Sequence, residues 1–280
     1  MSAQSGAIPT AAGEPSPVVA IDGLRKRFGA REIIGGLDLA VPAGQSLALI
    51  GANGAGKSTL LRMIVRLAEA DAGRISVLGE TVGSLSGASL KRFRARVGVV
   101  FQKHNLVARI SALSNVVHGV QARRSGPRTW TQALAPAEVR DEAMACLEAV
   151  GLADKALQRA DSLSGGQSQR VAIARMLMQR PELVLADEPD ASLDPRAGRE
   201  VMELLFRLTR DKGISLIFVS HHMAHALRFS DRIVGLGQGG VALDRRALHC
   251  NESELAAFFE EPAALPASDE PASTPVVALA

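Results

Sequence analysis

Two stretches of this chain carry residue types at spacings suited to chemistry on a phosphate chain. The first, Gly51-Ala52-Asn53-Gly54-Ala55-Gly56-Lys57-Ser58-Thr59, fits the pattern of glycine, four residues, then Gly-Lys-Ser. Glycines at 51, 54 and 56 let backbone N–H groups turn inward around phosphate oxygens. A helix after such a loop adds the positive end of its dipole. Lys57 should then reach the β- and γ-phosphates of a nucleoside triphosphate, and Ser58 should ligate Mg²⁺. The second stretch is Asp187-Glu188, which closes the apolar run 183–186. In an open parallel sheet, ligands bind at the carboxyl ends of strands. There Asp187 would hold Mg²⁺ through water, and Glu188 would polarise an attacking water as general base. Between the two lies Leu163-Ser164-Gly165-Gly166-Gln167, with a hydroxyl suited to capping a helix and glycines that permit close backbone approach.

Placing these residues requires short buried strands feeding loops and helices. Residues 46–50, 97–101, 183–186 and 215–220 are short, largely apolar runs. A helix is expected from Lys57 to Leu67, and another from Ser168 to Arg180 after the Ser-Gly-Gly stretch. Strands separated by helices predict an α/β fold with a parallel core sheet covered on both faces. The stretch from about 105 to 160 lacks such strands and reads as a mostly helical insert. Within it 137–150 has apolar residues at helical spacing and stops before Gly151. Residues 121–131 form a basic Gly/Pro-containing loop with the chain's single tryptophan, Trp130. Residues 1–16 and 262–280, rich in Ala, Ser and Pro, read as a disordered leader and tail around a domain spanning 17–261.

Composition narrows the function. With 32 basic and 29 acidic residues in 280, charge is nearly balanced and gives no case for nucleic-acid binding. The basic cluster at 91–96 reads as a solvated helix face. The two cysteines, Cys146 and Cys250, have no metal-ligand spacing and suit a reducing compartment. No apolar run reaches the length of a membrane span, and the N-terminus lacks the pattern of a secretory signal. Membrane association would therefore come through a partner.

The combination of the phosphate loop, Leu163–Gln167 and Asp187-Glu188 resembles ATP-binding-cassette (ABC) ATPases, the motors of ABC transporters, over about 18–244. The resemblance implies a RecA-like parallel-sheet core, an N-terminal antiparallel β subdomain and a helical subdomain at about 105–180. It implies ATP and Mg²⁺ as ligands. It also implies a head-to-tail homodimer in which Ser164, Gly165, Gly166 and Gln167 of one subunit contact the γ-phosphate held by the other. By the same resemblance Gln102 is a coupling glutamine at the Mg²⁺ shell, and Asp194 in 192–194 lies at the dimer interface. His221 is a switch histidine that contacts the γ-phosphate, and Phe28 stacks on adenine. Two departures stand out: Asp190 occupies a position where many members have threonine or isoleucine, and 222–226 lacks the acidic residues common there.

Segments 101–109, 111–116, 186–195 and 231–235 resemble the ATPase of bacterial phosphonate importers, and the Trp130 loop sits where that branch carries an insert. This implies two transmembrane permease subunits, a substrate-binding protein and a peripheral position on the cytoplasmic face of the bacterial inner membrane. Methionine and polar amino-acid importers are the alternative cargo classes. A non-transport ABC ATPase of repair or translation is the remaining class. Repair types place a long coiled coil between Lys57 and Leu163, where no sustained heptads occur, and translation types carry two cassettes.

Overall fold

The computed structural model describes residues 16–260, apart from 103, 104, 125, 127–129, 131 and 238. The expected leader and tail fall outside the described residues almost entirely. The chain opens with a long antiparallel hairpin. Strands β1 (Val19–Phe28) and β2 (Arg31–Val41) turn through Gly29 and Ala30, and Phe28 pairs with Arg31 at the tip. Gly29 has φ of 58°, the left-handed conformation that a two-residue hairpin turn requires. Strands β4 (Ala72–Val77) and β5 (Glu80–Thr81) complete a four-stranded sheet in the order β2-β1-β4-β5.

The second sheet has six strands in the order β10-β9-β3-β8-β7-β6. Strands β3 (Ser46–Ile50), β8 (Ser215–Val219), β7 (Leu183–Asp187) and, at one edge, β6 (Val97–Phe101) run parallel. They coincide with the four apolar runs within a residue. Strand β9 (Arg232–Gly237) lies parallel to β3, and β10 (Gly240–Arg246) returns antiparallel at the edge. Alternation along the inner strands splits the interior into two cores. Ala48, Ile50, Val184 and Ala186 point into one with the helical insert. Leu47, Leu49, Leu183 and Leu185 point into the other with the antiparallel sheet. Both faces are buried, as near-continuous apolar strands demand.

The helices are α1 (Lys57–Ile64), α2 (Gly87–Arg96), α3 (Ala112–Val117), α4 (Ala137–Ala149), α5 (Gly165–Met178), α6 (Pro195–Asp211), α7 (Met223–Phe229) and α8 (Glu252–Glu260). Two differ from expectation. Helix α1 stops at Ile64 rather than Leu67, because Arg66 takes the left-handed conformation at φ 55° and turns the chain away. Helix α5 starts at Gly165, earlier than Ser168. Ser164 and Gln167 form a capping box that draws both glycines into the first turn. It ends at Met178 because Arg180 is left-handed at φ 57° before Pro181. The 91–96 cluster is also more than a solvated face. Arg94 donates to the carbonyls of Val65 and Arg66, and Arg96 pairs with Glu80 and Glu182. Arg96 in turn holds the Glu182 carboxyl below its usual range.

Candidate active site

Four loops leave the carboxyl ends of the parallel strands side by side. The phosphate loop follows β3, His221 follows β8, Asp187 and Glu188 end β7, and Gln102 follows β6. Register makes the neighbours explicit: Asp187 pairs with Phe101 on one side and with Val219 on the other.

The phosphate loop is shaped by its glycines. Gly51 has φ of 139°, and a Cβ there would stand 2.4 Å from the carbonyl oxygen of Leu236 in β9. Gly56 is left-handed at φ 96° and serves as the N-cap of α1. Lys57, the first residue of that helix, is buried, with 5% exposure. Its Nζ donates to the carbonyls of Gly51 at 2.7 Å and Ala52 at 3.0 Å. An ammonium has three N–H donors, so one remains for a phosphate. Burial pushes the Lys57 pKa down, while the Glu188 and Asp187 carboxylates push it back up.

Ser58 Oγ donates to Asp187 Oδ1 at 2.8 Å. Burial raises the Asp187 pKa most strongly, the Ser58 hydrogen bond lowers it, and the Glu188 charge raises it further. A hydroxyl and a carboxylate brought together beside a phosphate loop are hard oxygen donors that suit Mg²⁺. His221 Nε2 and Glu188 Oε1 stand 2.6 Å apart. An ionised carboxylate only accepts, so with Glu188 charged the proton resides on Nε2. Glu188 has φ of 49°, an uncommon conformation for a residue with a long side chain, and it aims the carboxylate back toward β8.

Phe28, Asn53, Gly54, Gly56, Lys57, Ser58, Thr59 and Glu188 line one cleft of about 260 Å³. The ring of Phe28 is 56% exposed at its mouth, which excludes a core-packing role. Lys26 Nζ lies 5.2 Å from the ring centroid and covers one face. Arg31 and Ile33 also line the cleft, and the sequence reading missed both. The guanidinium of Arg31 would stand 3.4 Å from a Cβ placed on Gly54. Its position directly opposite Phe28 across a two-residue turn was the available signal, because opposed residues of a hairpin share one face.

Among the described residues, none of 164–167 lines this cleft. Ser164 is exposed and its Oγ accepts from the Gln167 amide at 3.3 Å. Asp194 is exposed and caps α6 through the amides of Arg196 and Ala197. Gln102 is exposed in a separate groove of about 370 Å³ with Ser168, Ser192 and residues of the insert such as Leu106. Trp130 is 62% exposed, and its carbonyl lies 2.6 Å from His118 Nε2.

A family model described as "ABC transporter" matches residues 34–191, more than half of the chain. The chain belongs to the ABC transporter ATP-binding family. It is 44% identical over 241 residues to a phosphonates import ATP-binding protein PhnC of Frankia casuarinae, covering 86% of this chain and 95% of that protein. It is 45% identical to a phosphate-import ATP-binding protein PhnC of Mycolicibacterium smegmatis, covering 91% and 97%. Among solved structures, a dimeric ATP-binding cassette in a post-hydrolysis state bound to ADP and Pi matches with TM-score 0.71 and 30% identity, covering 82% of this chain and 98% of that one. The cbiO1 protein of Clostridium perfringens, part of an ABC transporter complex, matches with TM-score 0.73 and 25% identity, covering 86% and 91%. The family binds ATP, and the two-sheet architecture with its helical insert is that of its cassettes.

Proposed function

We propose that this chain is the ATP-hydrolysing subunit of an ABC importer that couples ATP binding and hydrolysis to uptake of a phosphonate or a related phosphorus oxyanion. The observation that carries the ATPase reading is the convergence, at three adjacent strand ends, of Lys57, the Ser58–Asp187 pair and the Glu188–His221 pair. The cargo rests on the names of the relatives, which divide between phosphonate and phosphate import.

Residues 17–261 act as one ATPase domain, with the helical subdomain at about 105–180. Phe28 stacks on the adenine. The loop amides of 51–59 and the remaining Lys57 donor hold the β- and γ-phosphates. Ser58 and Asp187 would hold Mg²⁺, which would neutralise charge on the phosphate oxygens, and Gln102 would join its shell by turning out of its separate groove. Glu188 accepts a proton from the water that attacks the γ-phosphorus, and His221 orients Glu188 and contacts the γ-phosphate. ADP and Pi leave. Ser164 and Gly165, exposed, Gly166 and Gln167, half-buried, and the exposed Asp194 all lie outside their own subunit's cleft, and complete the site of a second copy in a homodimer.

No helix among the described residues is long and apolar enough to cross a membrane. By its likeness to import ATP-binding proteins, we place the dimer peripherally, on the cytoplasmic face of the inner membrane, beneath two permease subunits fed by a substrate-binding protein. The test is Glu188→Gln. General-base catalysis contributes about 10²- to 10⁴-fold, so turnover should fall at least a hundredfold while ATP still binds. Near-normal turnover would remove Glu188 as base. For cargo, uptake of labelled 2-aminoethylphosphonate and of phosphate by cells lacking the gene, complemented with wild type or Glu188→Gln, separates the two oxyanions.

A further inference from the structure

Among the described residues, Asp190 is the one fully buried carboxylate, with 4% exposure. A buried charge needs a partner. Asp190 Oδ2 finds His225 Nδ1 at 2.8 Å, with the His225 side chain only 13% exposed. The more exposed His222 stands 3.8 Å from the same oxygen.

The two segments involved are those that bear Glu188 and His221. Asp190 lies two residues beyond Glu188, in a tight turn where the Ala191 amide donates to the Glu188 carbonyl and the Leu193 amide to the Asp190 carbonyl. Its Cβ packs on the first turns of α6, where a Cβ on Gly198 would come within 3.3 Å. His225 lies four residues beyond His221, in the first turn of α7. Its amide donates to the His222 carbonyl, and its ring lies against Phe229, 5.6 Å between centroids. The segments are therefore bridged twice, by Glu188–His221 at 2.6 Å and by Asp190–His225 at 2.8 Å. A single bridge lets two loops pivot about it, whereas two bridges define their relative placement.

We infer that Asp190 and His225 are positioning residues, whose hydrogen bond sets the general base and the switch histidine in their working geometry. The inference rests on the reading of Glu188 as base. A misplacement of about 1 Å can cost about a hundredfold in rate. Breaking the pair should therefore lower kcat about 10- to 100-fold while the KM for ATP stays within about twofold.

The test compares His225→Leu, Asp190→Leu, the double variant and His225→Asn in the full-length chain, with ATP affinity and thermal melting measured alongside. The amide nitrogen of Asn can occupy the place of Nδ1, so His225→Asn should recover most of kcat. The double variant should be no slower than either single one, because both remove the same bond. Should the leucine variants fail to fold, His225→Gln displaces the donor by one methylene and should turn over more slowly than His225→Asn. Equal kcat for those two, or a wild-type kcat in His225→Leu while Glu188→Gln is inactive, overturns the inference alone. Normal turnover by Glu188→Gln overturns the general-base reading and this inference with it.

Discussion

Replacing Phe28 with alanine isolates base recognition from everything else in the cleft. The ring is 56% exposed at the tip of the β1–β2 hairpin, so its loss opens no cavity. Exposed substitutions of this kind shift stability by about 0.5 kcal/mol or less, about 2 °C at most in melting temperature for a domain of this size. One face of the ring is covered by Lys26 Nζ, 5.2 Å from the centroid, which leaves the other for a base. Base–aromatic stacking is worth about 1–3 kcal/mol by alanine substitution. With a single face in use, the lower part of that range, about 1–2 kcal/mol, raises the Kd for ATP about 5- to 30-fold. The stack is made equally to ground state and transition state. The KM should therefore rise by the same factor while kcat holds within about twofold. Calorimetric titration and steady-state ATPase assays read both quantities. An unchanged Kd in a folded variant would refute the stacking role, and a fall in kcat at constant KM would mean that the hairpin acts on the chemistry instead.

Arg31→Ala should weaken ATP about tenfold at low salt and AMP far less, because an exposed guanidinium acts on the phosphate charge and is screened by ions. Equal effects on ATP and AMP in equilibrium titrations would argue against a phosphate contact. Gly51→Ala places a methyl 2.4 Å from the Leu236 carbonyl at φ 139°, so it should destabilise by about 3 kcal/mol or more and lower the melting temperature by at least about 6 °C. Unaltered melting would show that β9 can give way. In dimers mixed from wild-type and Ser164→Ala subunits, one composite site stays whole, so turnover should persist while the all-variant dimer is inactive. Equal loss in both would reject a site shared between subunits.

The parts of this molecule that were readable in the sequence are those encoded by local bonds. The phosphate loop, strands β3, β6, β7 and β8, and the Ser164 cap each depend on residues within a few positions of one another. Helix ends were less readable. Arg66 and Arg180 adopt left-handed backbone without being glycine, so no residue type announced the stop. Pairings distant in sequence were not readable at all. Arg96 meets Glu182 and Asp190 meets His225 only because the sheet order sets β7 between β6 and β8. Strands β9 and β10 went unassigned for a related reason: 232–237 is apolar but glycine-punctuated, and its partner β3 lies far upstream. Of the cleft residues that went unread, Arg31 was within reach of a local rule, through its position opposite Phe28.

The segment 187–190 places three carboxylates within four residues at the end of a buried strand, and the fold disperses them. Asp187 turns to Ser58 on α1, Glu188 to His221 beyond β8, and Asp190 to His225 on α7. Carboxylates left side by side in a low-dielectric cleft would raise one another's pKa and protonate; at Asp187 burial is the main cause of the raised pKa, and the Glu188 charge adds to it. Giving each its own donor in a different direction requires the chain to reverse sharply after β7. The left-handed φ of 49° at Glu188 and the proline that follows make that reversal. Such a backbone conformation costs about 1–3 kcal/mol and persists only where surrounding contacts over-determine it. The contacts that do so here are those that, in the proposed mechanism, orient the groups for hydrolysis. Strain at Glu188 and the geometry of the base are therefore one feature, and releasing either partner histidine should relax the first only by degrading the second.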